Sequence, residues 1–216
     1  MDAHSNKPRK AARVDHLLIA EMVTSGARVL DIGCGDGELL TLLESDNGVD
    51  GRGIELQRSR VNSCVERGLS VIQGDADTDL KHFPVGSFDY AILSRTLQAT
   101  RNPRHVLEQL LRIAKYAIVS FPNYGHWRIR LNLLFSGTMP VTPNLPEPWY
   151  ESENIHPCTI KDFQTLCKEV NAKVERSVAL NVYGERMGLS LPWPCQNVFG
   201  EQAVFLLTRD DSANGS

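Results

Sequence analysis

The stretch VLDIGCGDGELL, residues 29–40, decides the fold of this chain. An apolar run ends at Ile32, glycines follow at Gly33, Gly35 and Gly37, and a helical pattern starts directly behind them. Glycine lets the backbone turn sharply and approach a ligand because it has no Cβ. The start of a helix adds free N–H groups and a partial positive charge, which favour an anion such as a carboxylate. The stretch therefore predicts a strand, a ligand-binding turn and a helix.

Strand and helix patterns alternate on both sides of this turn. Strands are predicted over 28–32, 51–56, 69–75, 88–94 and 116–121, and helices over 14–23, 38–44, 59–67 and 103–114. Five strands separated by helices predict βαβ units, a parallel sheet and right-handed crossovers. In such sheets a ligand binds at the carboxyl ends of the strands, near the point where the strand order reverses.

The second half of the chain has a different pattern. Residues 136–157 contain five prolines, which predicts irregular structure. Thr159 is a suitable N-cap for a helix over 158–170, and late strands are predicted over 173–180 and 197–209. The apolar stretch LNLLF, 131–135, is predicted to be helix core, or a docking face if it proves exposed.

The domain prediction follows from these patterns. One domain is expected over 13–209, with an elaborated insertion over 122–157. Residues 1–12 and 210–216 are polar and are expected to be disordered.

The bulk composition narrows the class of protein. A chain of 216 residues with 42% hydrophobic and 23% charged residues is ordinary for one globular domain. The net charge of −3 gives no basic footprint for nucleic acid. We expect no signal peptide and no membrane span, since no apolar run approaches ~20 residues. The five cysteines form no CxxC pair, so a cytoplasmic protein with reduced thiols is expected.

The spacing of the glycines indicates the class of ligand. A dinucleotide site favours G-x-G-x-x-G, whereas Glu38 stands at the last position here. Asp31 and Asp36 would also repel a pyrophosphate. A ligand with both an amino group and a carboxylate fits better, and this alternation of Asp and Gly is typical of methyltransferases that bind S-adenosylmethionine (SAM).

Later strand ends agree with a SAM site. Glu55 ends the second strand, where an acidic side chain can accept both ribose hydroxyls. Asp75 and Ala76 follow the third strand, where such sites hold adenine, and Ser94 ends the fourth strand near the methionine part. The predicted cofactor-binding residues are Asp31, Gly33, Cys34, Gly35, Gly37, Glu55, Leu56, Asp75, Ala76 and Ser94. The alternative is an α/β fold whose glycines and carboxylates serve only turns and caps.

Six segments resemble the MetW family of bacterial methionine biosynthesis proteins. They are RVLDIGCGDGELL, GIEL, VIQGDADTDL, FDYAILSRTLQA, FPNYGHWRIRLNLLFSGTMPVT and WYESENIHPCTIKDF. The first four are shared by many class I methyltransferases, and the last two are specific to this family. The resemblance implies a Rossmann-like α/β three-layer sandwich with a seven-stranded, mostly parallel sheet and an antiparallel C-terminal strand. It also implies binding of SAM, or of its demethylated product S-adenosylhomocysteine, and partnership with the homoserine O-acetyltransferase or O-succinyltransferase.

The stretch SFPNYGHWRIR, 120–130, leaves the role of the acceptor rim open. His126 could act as a general base, or the aromatic and Arg side chains could form a protein contact, or the stretch could be a lid. The predicted rim residues are Arg95, Asn123, Tyr124, His126, Trp127, Arg128 and Arg130. Arg95 is expected to meet the cofactor carboxylate or an acidic substrate, unless it is simply solvated.

The chain also contains a cysteine in the glycine turn and a His-Pro-Cys sequence, which are candidates for reactivity and for metal binding. Cys34 is expected to pack under the cofactor, although a helix N-terminus would lower the pKa of its thiol. His156 and Cys158 have no second pair at metal-ligand spacing, so no metal is predicted. Two functions therefore stand: an accessory protein of the acyltransferase, and an active SAM-dependent small-molecule methyltransferase.

Overall fold

The structure is a computed structural model that describes residues 13–142, 144–153, 155–181, 185–187 and 192–210. Within these residues the strands are β1 (Arg28–Ile32), β2 (Asp50–Glu55), β3 (Ser70–Gln73), β4 (Phe88–Ser94), β5 (Ala114–Pro122), β6 (Ala172–Leu180) and β7 (Gln202–Arg209). The helices are α1 (Val14–Met22), α2 (Glu38–Asn47), α3 (Arg58–Glu66), α4 (Pro103–Ile113), α5 (Trp127–Ser136), α6 (Ile160–Glu169) and α7 (Trp193–Phe199).

One seven-stranded sheet forms the centre of the domain. Its strand order is β3-β2-β1-β4-β5-β7-β6. The first five strands pair in parallel, whereas β7 lies antiparallel between β5 and β6. The order reverses at β1, because β2 lies on one side of it and β4 on the other. This reversal is the place where α/β sheets bind ligands.

Helices cover both faces of the sheet, as the predicted three-layer sandwich requires. Successive residues of β1 point to opposite faces, so Val29 belongs to the apolar cluster that contains residues of α1 and α2, while Leu30 belongs to the cluster that contains residues of α4 and α6. A parallel strand that is buried on both faces is largely apolar, which explains the predominantly apolar sequences of β1, β4 and β5. The predicted fold class is confirmed.

Most predicted elements agree with the structure within one or two residues. The predicted ranges of β1 and β4 are those observed. Thr159 caps α6 in a reciprocal pair with Asp162, whose carboxylate accepts a hydrogen bond from the Thr159 backbone N–H. The proline-rich segment contains no helix or longer strand in its described part, where Thr142 and Leu145 form an isolated bridge.

Two predictions for the second half are wrong. The strand predicted over 197–209 starts at Gln202, because residues 197–199 are the last turn of α7. Pro194 lies in the first turn of that helix, where proline favours helix formation. The LNLLF stretch does lie in a helix, α5, but it is not core, since Leu131, Leu133, Leu134 and Phe135 are exposed.

The disorder predicted for the chain ends stays a prediction, because residues 1–12 and 211–216 lie outside the described residues. Asp210, the first residue of the predicted tail, is described, and its backbone N–H donates to the Asn171 carbonyl oxygen at 2.8 Å.

Candidate functional site

The glycine turn connects β1 to α2 with three left-handed residues. The φ angles of Gly33, Gly35 and Gly37 are +70°, +57° and +75°. A Cβ on Gly37 would lie 2.3 Å from Leu69 Cδ1, whereas a Cβ on Gly35 would meet no protein atom within 4 Å. Glycine is therefore required at position 37 by packing and at position 35 by backbone conformation beside an open cavity.

Asp31 lies at the floor of this site with an unusual environment. Its side chain is 1% exposed, and within the part of the chain that the structure describes no atom hydrogen-bonds to Oδ1. Burial raises the pKa of Asp31 to about 7, the charge of Arg13 opposes this, and Glu55 adds to it. A buried carboxylate oxygen without a partner is costly, so the position favours a ligand that donates a hydrogen bond or carries positive charge.

Glu55 is held by backbone donors at the end of β2. Its Oε2 accepts a hydrogen bond from the Gly35 N–H at 2.8 Å, and its Oε1 accepts one from the Gln57 N–H at 2.9 Å. Each carboxylate oxygen keeps a further lone pair for an additional donor. The glycine turn thus fixes the orientation of Glu55, and the exposed side chain of Leu56 follows it.

Asp75 is oriented by its own turn and by a basic side chain. Its Oδ1 accepts from the Asp77 N–H at 2.9 Å, and its Oδ2 accepts from the Arg101 guanidinium. Its backbone N–H donates to Asp79 Oδ2 at 2.8 Å. The half-buried Ala76 packs beside it. The site wall at β3 is therefore a rigid acidic turn.

A cavity of about 780 Å³ joins these residues at the carboxyl ends of β1, β2 and β4 and the turn after β3. Of the ten predicted cofactor-binding residues, all except Gly37 line it, as does Arg95. Gly37 lies behind the turn, against Leu69 and Cys64. The structure thus brings together residues that are up to 64 positions apart in the chain, from Asp31 to Arg95.

The N-terminal helix contributes residues that the sequence patterns did not indicate. Arg13 and His16 line the cavity, and the Arg13 guanidinium donates to the buried Asp15 carboxylate through Nε at 3.1 Å and through Nη2. Burial on its own would raise the pKa of Asp15, but Arg13 and then Arg95 bring it below its usual value. Burial, together with the charge of Arg13, lowers the pKa of His16 to about 4. The sequence feature that could have indicated this contribution is the presence of charged residues on the buried face of an otherwise apolar helix.

Arg95 connects the cavity to the second half of the chain. Its φ of 57° is left-handed, which is uncommon for a residue with a Cβ. Its Nη2 donates to Asn144 Oδ1 and to Gln202 Oε1, both at 2.9 Å, and its Nε lies 3.6 Å from the Asp15 carboxylate. Burial lowers the pKa of Arg95. The strained backbone is held by contacts to three separate segments.

Residues 13–207 match the family model described as methionine biosynthesis protein MetW. This chain belongs to the MetW family. A relative in Rhodopirellula baltica, named bifunctional methionine biosynthesis protein MetXA/MetW, is 32% identical over 184 residues. The match covers 81% of this chain and only 30% of that relative.

Solved structures with the same fold include SAM-dependent methyltransferases. One from Thermotoga maritima has a TM-score of 0.63 at 17% identity. The alignment covers 90% of this chain and 87% of the Thermotoga chain. A TehB-like enzyme from Corynebacterium glutamicum has a TM-score of 0.61 at 16% identity, with 93% and 90% covered. At these identities the likeness establishes the fold that the MetW chain shares with them. None of its described helices is long and apolar enough to cross a membrane.

The predicted rim does not assemble as expected in this MetW chain. Of its seven residues only Arg95 lines the cavity. Asn123 is buried, and its Nδ2 donates to the carbonyl oxygens of Asn197 and Gly200 at 3.0 and 2.7 Å. Tyr124 is half-buried, and burial raises the pKa of its hydroxyl. The turn after β5 therefore serves to hold α5 and α7 together.

His126 is not positioned as a base for a ligand in the cavity. It is buried at the N-cap of α5, beside Ile129, Leu145 and Glu201. Burial lowers its pKa, so the imidazole is neutral at pH 7. The expectation of an accessible His126 on the cavity rim is wrong, because the turn after β5 folds under the insertion.

The remaining predicted side chains divide between the surface and the core. Trp127, Arg128 and Arg130 are exposed on α5, and the Arg130 Nε donates to the Gly125 carbonyl oxygen at 2.6 Å. Cys34 is buried. Its burial, and to a smaller extent the nearby charge of Asp31, raises the pKa of its thiol. A helix N-terminus was expected to lower this pKa, so the structure shows the opposite direction. Among the described residues no group of three or more His, Cys, Asp or Glu could hold a metal ion.

Proposed function

We propose that this chain binds SAM, or S-adenosylhomocysteine, in the cavity and acts in methionine biosynthesis together with a homoserine O-acyltransferase. The observation that carries the cofactor proposal is the buried Asp31 oxygen without a hydrogen-bond partner, at the floor of a cavity lined by glycine. The amino group of SAM is a cationic donor, and a buried carboxylate binds such a donor strongly.

The other cavity residues fit the remaining parts of SAM. Glu55, held by the glycine turn, is the acceptor proposed for the ribose hydroxyls. Asp75, Ala76 and the exposed Leu56 side chain are proposed for the adenine part. Arg13 and Arg95 provide positive charge beside Ser94 for the carboxylate of the methionine part.

The described histidines do not favour a base-assisted methyl transfer in this cavity. SAM supplies an electrophilic methyl group when bound, and many acceptors must lose a proton to attack it. His16 is the described histidine on the cavity wall, and its pKa of about 4 makes it a weak base. His126 lies outside the cavity. An active methyltransferase with an acceptor that needs no base remains the alternative.

The partner proposal rests on the relative named MetXA/MetW. That protein carries a MetW-like region in about 30% of its length, joined to another activity of methionine biosynthesis. Two activities that occur in one chain are often partners when they are separate. The family resemblance supports a homoserine O-acyltransferase, which adds an acetyl or succinyl group, as this partner.

The cofactor proposal is tested with a matched pair of glycine substitutions. Gly35→Ala and Gly48→Ala place a Cβ on residues with φ of +57° and +61° where no protein atom lies within 4 Å. Both should destabilise the fold by about 1–2 kcal/mol. Only Gly35 lines the cavity, so only Gly35→Ala should weaken SAM binding, by at least about tenfold, in titration calorimetry. Equal SAM affinity in both variants would contradict the site.

The partner proposal is tested by mixing the purified chain with the purified homoserine O-acyltransferase of the same organism. We expect co-elution in size-exclusion chromatography and an acyltransferase rate raised at least about fivefold, a typical effect of coupled binding. A parallel assay with methyl-labelled SAM and cell extract tests the alternative. Labelled product that disappears with Gly35→Ala but not with Gly48→Ala would favour the methyltransferase over the accessory role.

A further inference from the structure

Helix α5 has apolar side chains on an outer face that the described part of the fold does not cover. Trp127, Leu131, Leu134 and Phe135 are 39%, 42%, 73% and 80% exposed. Their spacing of i, i+4, i+7 and i+8 puts them on one side of the helix. We call these four residues the outer face of α5. Single exposed apolar residues are common, but an aligned group on one helix marks a contact surface.

The opposite side of α5 already provides the packing that holds the helix. Ile129 is 4% exposed and lies with Leu145 and His126 around one small void beneath the helix. The His126 N–H donates to the Asn123 carbonyl oxygen, and Arg130 Nε bonds the Gly125 carbonyl oxygen. These contacts fix the helix on the fold. The outer face is therefore not needed to keep α5 in place.

Charge on α5 narrows the kind of partner. Arg128 and Arg130 are exposed and flank the outer face on its two sides, and residues 127–136 contain no Asp or Glu. The Arg128 guanidinium lies 5.4 Å from the centre of the Trp127 ring, so it also covers part of that ring. A complementary surface would be an apolar groove with acidic residues on its rim.

The same charges argue against a second copy of this chain on the outer face. A two-fold dimer brings the same patch of both copies together. Such a dimer through α5 would bring Arg128 and Arg130 of one copy toward the arginines of the other, without an acidic residue from either helix between them. Like charges across an interface are unfavourable. The outer face is better suited to a different protein.

The exposed area is also sufficient to contribute a substantial part of an interface. Exposed aromatic and leucine side chains of this size present on the order of 400 Å² together. This is about half of the ~800 Å² that one partner contributes to a standard interface. Amphipathic helices with anchors at this spacing bind by inserting into an apolar groove.

We propose that the outer face of α5 is the docking surface for the homoserine O-acyltransferase, which provides an apolar groove with an acidic rim. This inference rests on the proposed function, since the partner is the one proposed there. It assigns the contact to Leu134 and Phe135 at the centre and to Arg128 at the rim. Trp127 and Leu131 complete the apolar strip.

The test compares two equally exposed apolar residues. Leu134 on α5 and Val85, which precedes the amino end of β4, are both 73% exposed. The affinity for the purified homoserine O-acyltransferase is measured by calorimetry for wild type, Leu134→Ser and Val85→Ser. Leu134→Ser should weaken binding about 30-fold, and Leu134→Ser with Phe135→Ser at least about 100-fold. Val85→Ser should bind as wild type does.

Further measurements separate the outcomes. SAM affinity and the midpoint of thermal unfolding should be unchanged in Leu134→Ser and in the double variant with Phe135→Ser. Unchanged values would show that the fold is intact. Arg128→Glu should slow association about tenfold and reduce its salt dependence.

If wild type binds the acyltransferase and the α5 variants bind equally well, the docking surface is wrong while the proposed function stands. If wild type does not bind the acyltransferase, the proposed partnership itself fails. A wild-type dimer that Leu134→Ser converts to a monomer would assign α5 to a second copy and overturn the proposal.

Discussion

Asp31→Asn is expected to weaken SAM binding at least about 100-fold, because it removes the buried negative charge that we propose binds the amino group of SAM. The Asp31 carboxylate is 1% exposed, and its Oδ1 has no hydrogen-bond partner in the described residues. Removing one member of a buried charged pair costs about 2–5 kcal/mol. Titration calorimetry at pH 8, where Asp31 is ionised, measures the effect.

The same substitution should have an opposite effect on the stability of the ligand-free fold. The pKa of Asp31 is raised from 3.8 to about 7, so the folded state binds this proton more tightly than the unfolded state. The contribution of Asp31 to the stability of the folded state is fully present below pH 4 and is lost as the pH rises through about 7. Asp31→Asn avoids this loss, so its free energy of unfolding should exceed that of wild type by about 4 kcal/mol at pH 8 and by little at pH 4.

A carboxylate outside the cavity provides the control. Asp89 on the neighbouring strand β4 accepts hydrogen bonds from the Arg28 backbone and side chain at the amino end of β1. Asp89→Asn should leave SAM affinity unchanged and lower stability slightly at neutral pH. If Asp31→Asn bound SAM as tightly as Asp89→Asn does, Asp31 would not be the amino-group partner, and the cofactor proposal would lose its main support.

Gly37→Ala is expected to destabilise the fold by about 3 kcal/mol, because it combines backbone strain with a steric clash. A left-handed residue with a Cβ costs about 1–2 kcal/mol. The new Cβ would also lie 2.3 Å from Leu69 Cδ1 and 3.0 Å from Cys64 Sγ, and overpacking a core costs about 1–3 kcal/mol. For a domain of this size the midpoint of thermal unfolding should fall by roughly 6–12 °C.

Gly48→Ala separates the two causes, because both glycines flank the same helix. Gly37 precedes α2 and Gly48 follows it, and both have positive φ, but a Cβ at position 48 meets no atom within 4 Å. The Gly48 variant should therefore show only the backbone cost of about 1–2 kcal/mol. Equal losses in urea-induced unfolding of the two variants would contradict the packing role of Gly37.

Local patterns were sufficient for the first half of the chain. β1 and β4 have the predicted ranges, because a buried parallel strand is a continuous apolar run that ends at a glycine or polar residue. The residues of the candidate site were also predictable there. In a parallel sheet the carboxyl ends of the strands lie at the same edge, so Asp31, Glu55 and Asp75, which are within two residues of the ends of β1, β2 and β3, converge without any information from long-range contacts.

The second half could not be read in the same way. His126 has a sequence context that suggests an accessible base, yet the turn after β5 is buried by Leu145 and Glu201 from distant segments. Leu134 and Phe135 have the composition of core residues, and only the position of α5 on the fold leaves them exposed. Arg13 and Arg95 meet around Asp15, although 82 residues separate them in the chain.

The sequence by itself determined the fold class, the glycine turn and the acidic residues at the strand ends. These features depend on short-range periodicity and on backbone requirements that each residue carries alone. Only the tertiary structure decided that His126 is buried, that α1 contributes to the cavity and that α5 presents an apolar outer face. Burial and charge pairing depend on which distant segments meet, and no local pattern records those contacts.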